Sequence, residues 1–262
     1  HIISYLNLKG LFMKIALITG SSRGLGKSMA LNLAKHGYNI VITYKSSKKE
    51  ADCIIDEIKA IGSDAFALQF DVSNTNLFND FKTVLIEKLQ TNWQTSFIDL
   101  LVNNAGIGIN ASIADTTIEQ FDELTNIHIK GPYFLTQTLL NNIKDGGNII
   151  NISSGLARFS LPGYSAYAMM KGAVEVMTRY FAQELGSRNI SVNTIAPGAI
   201  ETDFQGGFVR DNSSVNDFIA SQTALGRVGM PDDIGAALAS IVSQECHWIN
   251  GQRIEISGGI FL

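Results

Sequence analysis

Short apolar runs alternate with longer amphipathic segments along most of the chain, and this alternation limits the possible folds more than any other feature. Seven runs predict strands, at residues 14–19, 39–43, 64–70, 98–104, 147–153, 190–196 and 253–257. The intervening segments predict helices, at residues 24–36, 47–61, 75–90, 117–144, 164–187 and 231–243. Most strands are apolar throughout, as in parallel sheets buried on both faces. The sequence therefore predicts a doubly wound α/β fold, with about seven parallel strands and helices on both faces.

One domain accounts for this pattern. The 262 residues contain no internal repeat, low-complexity stretch or Pro/Ser-rich linker, so we predict a single folded unit over residues 13–262. Residues 198–227 form a long polar, glycine-rich segment between a strand and a helix, which is typical of a substrate lid. We expect residues 1–12 to be an N-terminal extension and not a secretory signal, because their apolar stretch is short and no charged leader precedes it.

The composition argues against several classes of function. Hydrophobic residues make up 45% and charged residues 17% of the chain, and the formal net charge is −4. The only basic cluster is KSSKK at residues 45–49, so we expect neither nucleic acid nor an anionic membrane as a partner. No apolar run approaches the roughly 18–20 residues of a membrane span. The four histidines are scattered, so we expect no metal site, and the isolated Cys53 and Cys246 are typical of a reduced, cytoplasmic protein.

A glycine-rich turn follows the first predicted strand and opens the first predicted helix. Gly20, Gly24 and Gly26 allow a tight turn and a close approach of the backbone to a ligand. The helix N-terminus presents free N–H groups and a positive dipole end to a pyrophosphate. The turn therefore predicts a Rossmann-like nucleotide site, whose contacts we expect from Gly20, Ser22, Arg23, Gly24, Leu25 and Gly26.

The order of short motifs along the chain is specific. The spacing Gly-x-x-x-Gly-x-Gly is followed by DV at 71–72, NNAG at 103–106, a serine with Tyr-x-x-x-Lys, PG at 197–198 and SGG at 257–259. Over residues 13–262 the chain resembles the short-chain dehydrogenase/reductase family. The resemblance implies an enzyme that interconverts a ketone and a secondary alcohol with a nicotinamide cofactor.

The end of the second strand bears on the choice of cofactor. Folds that prefer NAD usually carry an acidic residue there, whereas this chain has Tyr44, Lys45 and Ser46. No carboxylate repels a 2′-phosphate, and in the family basic residues at the positions of Lys45 and Arg23 accompany NADP. The alternative is that both are ordinary surface charges. We expect NADP(H) to be preferred, with NAD(H) as the alternative.

The resemblance implies further cofactor contacts at the ends of later strands. Asp71 and the backbone of Val72 would contact adenine, and Ile200 and Thr202 would hold the nicotinamide carboxamide. Asn103 would line the adenosine ribose or act as a structural hydrogen-bonding residue. The remaining expected contacts are Ala105, Gly106, Pro197 and Gly198, together with Tyr167 and Lys171.

The predicted reaction centre lies between residues 153 and 174. Tyr167 and Lys171 are four residues apart and share one face of a helix. A phenol with a pKa near ~10 is a poor acid at neutral pH, and a nearby ammonium lowers that pKa. Tyr167 could then protonate a ketone oxygen as hydride arrives. The family spacing implies that Ser154 would hold that oxygen. Ser153 is the alternative to Ser154, and Tyr164 is the alternative to Tyr167.

His128 occupies a position where the family commonly has a catalytic asparagine. Asn126 lies two residues earlier, on another face of a helix, and cannot simply replace it. Three interpretations are open. His128 could be a new acid–base group, because imidazole titrates near neutrality. It could replace asparagine as a structural hydrogen-bonding residue, which we favour. It could also be an ordinary helix residue, with Asn126 taking the role after a register shift.

These observations predict an NADP(H)-dependent oxidoreductase for a small carbonyl or alcohol substrate. One alternative is 3-oxoacyl-(acyl carrier protein) reductase, which needs a basic docking patch; Arg158, Arg179 and Arg188 are candidates. A remote alternative is a cofactor-sensing protein without turnover, although such proteins usually lose the Tyr or Lys of the centre. By resemblance, the predicted helices 117–144 and 164–187 and the apolar C-terminus also predict a homo-oligomer, namely a tetramer.

Overall fold

The computed structural model describes residues 13–262, so the expectation for residues 1–12 lies outside the described residues. Strands and helices alternate through this range. The strands are β1 (Lys14–Ile18), β2 (Tyr38–Tyr44), β3 (Ala65–Gln69), β4 (Ile98–Asn103), β5 (Ile143–Ile152), β6 (Ser191–Pro197) and β7 (Arg253–Ile256). The helices are α1 (Gly24–Lys35), α2 (Lys48–Ile61), α3 (Phe78–Trp93), α4 (Ile118–Thr125), α5 (Gly131–Leu139), α6 (Ser165–Leu185), α7 (Phe208–Asp211), α8 (Ser213–Ser221) and α9 (Pro231–Ile241).

The strands form one parallel sheet in the order β3-β2-β1-β4-β5-β6-β7. This confirms the predicted doubly wound sheet with helices on both faces. The order reverses between β1 and β4: the chain continues from β1 toward one edge of the sheet and from β4 toward the other. In such sheets a crevice opens at this point, outside the carboxyl ends of the strands.

Burial on both faces explains why the strands are apolar throughout. In β1, Ala16 and Ile18 face a core that includes residues of α1, α2 and α9. Ile15 and Leu17 face the opposite core, which includes residues of α3, α5 and α6. All four side chains are fully buried, as expected where successive residues of a strand point to opposite sides.

The predicted single helix over residues 117–144 is wrong, because the chain divides there. After α4, residues Asn126–Lys130 form a π-helical turn, in which the Gly131 N–H donates to the Asn126 carbonyl. Pro132 has no N–H for the His128 carbonyl, which a regular α-helix would require. A Cβ on Gly131 would lie 2.8 Å from the Val72 carbonyl oxygen, so the turn packs directly on the end of β3.

The strand β5 also begins earlier than predicted, at Ile143. Its pairing with β4 shifts register between Ile98 and Leu100. Lys144 donates to both carboxylate oxygens of Asp99, at 2.9 and 3.1 Å, beside this irregularity. The polar residues at the start of β5 are typical of a helix end, so the sequence pattern did not indicate a strand there. Pairing with β4 makes these residues part of the sheet.

The predicted lid segment, residues 198–227, contains α7, α8 and a short 3-10 turn, Phe204–Gly207. Its end is held against the C-terminus, because Thr223 pairs with Ile260 in an antiparallel bridge. That the segment acts as a lid stays a prediction. Within the described range, no helix has both the length and the apolar character that a membrane crossing needs.

Candidate active site

Two loops meet at the point where the strand order reverses. The Thr19 hydroxyl oxygen, at the end of β1, accepts the backbone N–H groups of Asn104 and Ala105, both at 2.9 Å. The Asn104 side-chain amide donates to the carbonyls of Thr19 and Gly20, at 2.8 and 3.2 Å. These bonds fix the glycine-rich turn against the NNAG loop and define one wall of the crevice.

The glycine-rich turn leaves no room for a side chain at Gly26. A Cβ on Gly26 would lie 2.4 Å from the Gly20 carbonyl oxygen and 2.7 Å from the Ser21 Cα. The helix α1 begins at Gly24, so its unpaired N–H groups open into the crevice. The Thr202 side chain lies 3.6 Å from the Cβ position of Gly24. Two predicted cofactor contacts, Gly24 and Thr202, therefore face the same space.

Two other predicted contacts form an ion pair at the edge of the sheet. Lys45 Nζ lies 2.8 Å from Asp71 Oδ2, and the Lys45 side chain is 67% exposed. Burial alone would raise the pKa of Asp71, but hydrogen bonds from Lys45 and Ser73 bring it below its usual value. The carboxylate is therefore charged at neutral pH, and the ammonium beside it is open to solvent.

The remaining predicted cofactor residues are distributed along the same edge. Val72, Asn103, Ala105 and Lys171 line one pocket together with His128. Tyr44 ends β2 and Pro197 ends β6. Three predicted contacts pack against neighbouring residues: Gly198 against Ser257, Ile200 against Gly229, and Gly106 against His128. Of the two predicted serines, Ser46 is exposed and Ser22 is buried. Leu25 packs against the core instead.

The predicted catalytic side chains come together at the ends of β5 and α6. Ser154 follows β5, and its hydroxyl caps the next turn by accepting the Leu156 N–H at 3.2 Å. A hydrogen bond from Ser154 lowers the pKa of Tyr167, but burial raises it more, so the net pKa lies above its usual value. Lys171, one turn along α6, donates to the Ile152 carbonyl at 2.8 Å.

Lys171 does not lower the pKa of Tyr167 in this structure, which differs from the sequence-based expectation. Its Nζ lies 5.6 Å from the Tyr167 ring centroid and is engaged by the Ile152 carbonyl. Burial lowers the pKa of Lys171 to about 7. Desolvation therefore dominates both side chains, since it disfavours the charged form of each.

The rival serine is directed elsewhere. The Ser153 hydroxyl lies 2.8 Å from the Glu175 carboxylate and 3.2 Å from the Lys171 carbonyl. Glu175 also pairs with Arg253 of β7, at 2.7 Å. Ser153 therefore links β5 to the side of α6, and Ser154 is the serine that reaches Tyr167. The rival tyrosine, Tyr164, donates to Gln205 of the lid segment.

His128 lies in the π-turn and is 2% exposed. Its Nε2 lies 2.8 Å from the Ile107 carbonyl oxygen, so this nitrogen carries the proton and donates. The ring packs edge-on against Tyr167, with centroids 5.4 Å apart. Burial and the charge of Lys171 lower the pKa of His128 to about 3, although the hydrogen bond to Ile107 opposes the shift. A neutral, buried imidazole favours the structural interpretation over proton transfer.

Comparison with known proteins matches this architecture. A family model described as Enoyl-(Acyl carrier protein) reductase matches residues 20–260. The chain is 36% identical over 257 residues to the tetrahydroxynaphthalene reductase PfmaG of Pestalotiopsis fici, covering 94% of this chain and 91% of that protein. Among solved structures, the angucycline C-6 ketoreductase LanV with bound NADP has a TM-score of 0.90 at 32% identity, covering 95% of each chain. A short-chain dehydrogenase/reductase from Serratia marcescens BCRC 10948 has a TM-score of 0.86 at 26% identity, covering 95% of this chain and 98% of that one.

The chain belongs to the short-chain dehydrogenase/reductase family. The resemblance stated from the motifs is thereby confirmed. The family pattern explains the glycine-rich turn, the NNAG loop and the Tyr-x-x-x-Lys pair in one fold. His128 is where this member departs from the family's asparagine.

Sequence reasoning gave Asn103 as a possible structural hydrogen-bonding residue, but it missed the polar partners that brace this short-chain dehydrogenase/reductase from within the sheet. Asn103 donates to Asn151 at 2.8 Å, and Asn151 donates to Thr178 of α6 at 2.9 Å. Thr194 of β6 donates to the same Thr178 hydroxyl at 2.7 Å. Their only signal in the sequence was a polar residue inside an otherwise apolar strand. Within residues 13–262, no group of three or more His, Cys, Asp or Glu side chains is arranged for a metal ion.

The buried state of His128 predicts a pH dependence of folding. Its pKa is lowered from 6.5 to about 3, so between these values the unfolded chain binds a proton at this position and the native chain does not. Stability is therefore lost as the pH falls from 6.5 toward 3, with a slope of up to about 1.4 kcal/mol per pH unit. We expect His128→Asn to remove this slope in urea unfolding measured at intervals between pH 7 and 4.5.

The exposed histidine His36 provides the comparison, because its removal by His36→Asn leaves the crevice intact. The difference between the two variants in the pH dependence of stability therefore reports on the buried His128. If His128→Asn and wild type show the same pH dependence, the imidazole is not held neutral in the folded protein.

Proposed function

We propose that the protein is an NADP(H)-dependent oxidoreductase that interconverts a ketone and a secondary alcohol. The observation that supports this proposal is that Lys171, one turn from Tyr167 on α6, lines one pocket with Thr19 at the start of the glycine-rich turn and with Asn103. The cytoplasm is the compartment that fits the two free cysteines, Cys53 and Cys246.

The crevice fits a nicotinamide dinucleotide. The turn at Gly26 admits only backbone, which allows a pyrophosphate to approach the N–H groups of α1. Asn103 Oδ1 is buried and has no hydrogen-bond partner among the described residues, so it offers an acceptor to a ribose hydroxyl. The exposed Arg23 offers positive charge for a 2′-phosphate, and the exposed Lys45 would do so when a phosphate replaces its partner Asp71. The LanV structure, which contains NADP, supports the same choice.

The chain's own residues would act on the substrate oxygen. The cofactor, when bound, supplies or accepts the hydride. Ser154 holds the carbonyl oxygen through its hydroxyl, and Tyr167 donates the phenol proton to that oxygen as its charge develops. In the reverse direction the phenolate accepts the alcohol proton. Lys171 lies one helical turn from the phenol, and we assign its Nζ, which now donates to the Ile152 carbonyl, to a hydrogen bond with the nicotinamide ribose.

The relatives indicate the kind of ketone. The similar proteins are named for a tetrahydroxynaphthalene and for an angucycline, and both names describe reduction. We therefore propose a cyclic ketone attached to an aromatic ring as the substrate. Ile107, Ile109 and Leu156, which pack against the cluster around Tyr167, give the crevice an apolar wall that suits such a ring.

The carrier-protein alternative has less support. Of its candidate docking arginines, Arg158 makes a bidentate pair with Glu255, with both bonds at 2.8 Å. Arg188 pairs with Asp145 and donates to two backbone carbonyls. Arginines that are neutralised within the chain provide little attraction for an acidic carrier protein. The cofactor-sensing alternative predicts that the protein binds the cofactor without turnover, so an activity assay distinguishes it from the proposed function.

The first prediction for this function compares two variants with one ketone. NADPH oxidation is measured against a panel of ketones, quinones and β-ketoacyl thioesters, and the best substrate is used. Tyr167→Phe removes the proton donor and is expected to lower kcat by ~10²–10⁴. His128→Asn keeps a side chain that donates a hydrogen bond and is expected to keep most of kcat.

The pH profile of kcat supplies the control for this comparison. Under the structural interpretation, His128→Asn leaves the profile unchanged. An equal loss in both variants, with a titration near pH ~6.5 abolished by His128→Asn, would make His128 a proton-transfer residue. If Asn126→Ala is the damaging change, the register-shift interpretation is correct.

The second prediction concerns the cofactor. Replacing both Lys45 and Arg23 with alanine is expected to weaken NADPH binding by ~1–3 kcal/mol, the range of charge-assisted hydrogen bonds. NADH binding is expected to change little, because it lacks the 2′-phosphate. Fluorescence titration of each nucleotide gives both values, and Lys49→Ala, an exposed charge nearby, is the control. Tighter binding of NADH than NADPH by wild type would refute the assignment.

The third prediction concerns the assembly. We propose a homotetramer in which an apolar face of α5 and α6 pairs with a second copy. Tyr133, Val176 and Tyr180 on this face are 43%, 45% and 66% exposed and line a shallow groove. Sedimentation at micromolar concentration is expected to show a tetramer that Tyr180→Glu dissociates. Val84→Glu, on the outer face of α3, is the control, and a wild-type monomer would overturn the proposal.

A further inference from the structure

One polar pair interrupts an otherwise apolar region beside Tyr167. The Tyr164 hydroxyl donates to Gln205 Oε1 at 3.0 Å. The Phe204 ring lies next to this pair, with its centroid 6.2 Å from that of Tyr167. The opposite side is formed by Ile107 and other apolar residues. A polar contact placed between apolar walls is typical of a group that orients a ligand.

The backbone at Gln205 is held in an unusual conformation. Its φ is 52°, and Gly206 and Gly207 also have positive φ. A side chain other than glycine, asparagine or aspartate seldom adopts this region, and such residues concentrate at ligand contacts. In this conformation the half-buried Gln205 side chain reaches Tyr164.

The opposite loop comes close to this side chain at a glycine. A Cβ on Gly108 would lie 2.7 Å from Gln205 Nε2 and 2.8 Å from two atoms of the Phe204 ring. Gly108 follows the NNAG loop, so residues 204 and 205 of the predicted lid segment reach the loop that follows β4.

The pair retains unused hydrogen-bonding capacity. Gln205 Nε2 makes no hydrogen bond to any residue in the range 13–262, so its N–H groups can donate. The Tyr164 oxygen donates its only proton to Gln205 and keeps lone pairs that can accept. Tyr164 packs against the cluster that contains Tyr167. A donor and an acceptor thus lie beside the same cluster as the proposed proton donor.

We propose that Tyr164 and Gln205 form a polar subsite that recognises a second oxygen on the substrate, a hydroxyl on the aromatic ring next to the reacting ketone. This inference rests on the proposed function. A hydroxyl matches the pair because it can accept from Gln205 Nε2 and donate to the Tyr164 oxygen. The apolar side chains around Tyr167 would contact the ring itself.

The test uses matched ketones that differ only in this oxygen. The rates of NADPH oxidation are measured with 1-tetralone and with its four monohydroxy derivatives, which are isomers of one another and carry the hydroxyl on the aromatic ring. Wild type is expected to prefer at least one isomer over 1-tetralone by about tenfold or more in kcat/KM, the effect of one well-made hydrogen bond. Tyr164→Phe and Gln205→Ala are each expected to abolish that preference, measured as the ratio of kcat/KM for the isomer to kcat/KM for 1-tetralone.

Matched controls separate recognition from folding. Gln205→Ala keeps the same demand on the backbone, since alanine also lacks the freedom of glycine. Gln244→Ala removes an exposed glutamine outside the crevice and is expected to change neither rate. Thermal unfolding of each variant checks that the fold is intact. Calorimetric binding of 1-naphthol and of dihydroxynaphthalenes to the NADP-loaded protein gives a second readout, in which the same preference and the same loss are expected.

The outcomes distinguish the subsite from the function. No oxidation of NADPH with any ketone of the panel would overturn the proposed function and the subsite with it. Turnover of 1-tetralone and all four isomers at equal rates by wild type would overturn the subsite alone. A loss shared equally by every substrate in Tyr164→Phe would assign the pair to positioning of Tyr167, and the recognition role would be wrong.

Discussion

The crevice depends on the hydrogen bonds between Thr19 and the loop that follows β4. Thr19 accepts two backbone N–H groups, and Asn104 returns two bonds to the turn after β1. The strand order reverses between β1 and β4, and these four bonds join the two loops at that point. Buried polar groups need hydrogen-bond partners, and here the polar groups of the two loops bond to one another. The glycine-rich turn, the NNAG loop and the approach to Tyr167 all take their positions from this contact.

A second set of buried polar residues fixes the catalytic helix to the sheet. Asn151 joins Asn103 to Thr178, and Thr194 reaches the same hydroxyl. Ser153, next to the proposed catalytic serine, contacts Glu175 on that helix. Directional hydrogen bonds in an apolar interior define one arrangement, since every misplaced group would lose its partner. The relative positions of Ser154 and Lys171 are therefore set by buried hydrogen bonds between the sheet and α6.

The sequence predicted most of the fold because periodicity and turn chemistry are local. Apolar runs identified every strand in the described range, and the motifs identified the residues of the crevice. The prediction failed over residues 117–144, where Pro132 and the contact of Gly131 with β3 produce a π-turn that periodicity does not show. The pKa of Tyr167 was also misjudged. The spacing of four residues shows that Lys171 lies near Tyr167. Burial nevertheless raises the pKa of Tyr167 and lowers that of Lys171, and burial depends on the surrounding elements.

The sequence by itself determined the parallel sheet, the glycine-rich turn and the family, because each depends on residues close together in the chain. Only the tertiary structure decided what His128 does, since its partner, the Ile107 carbonyl, lies on another loop and its neutrality comes from burial. The same holds for Gln205, which meets Tyr164 across 41 residues of chain. Hydrogen bonds and desolvation act between groups that are near in space, and distance along the sequence carries no information about them until the chain has folded.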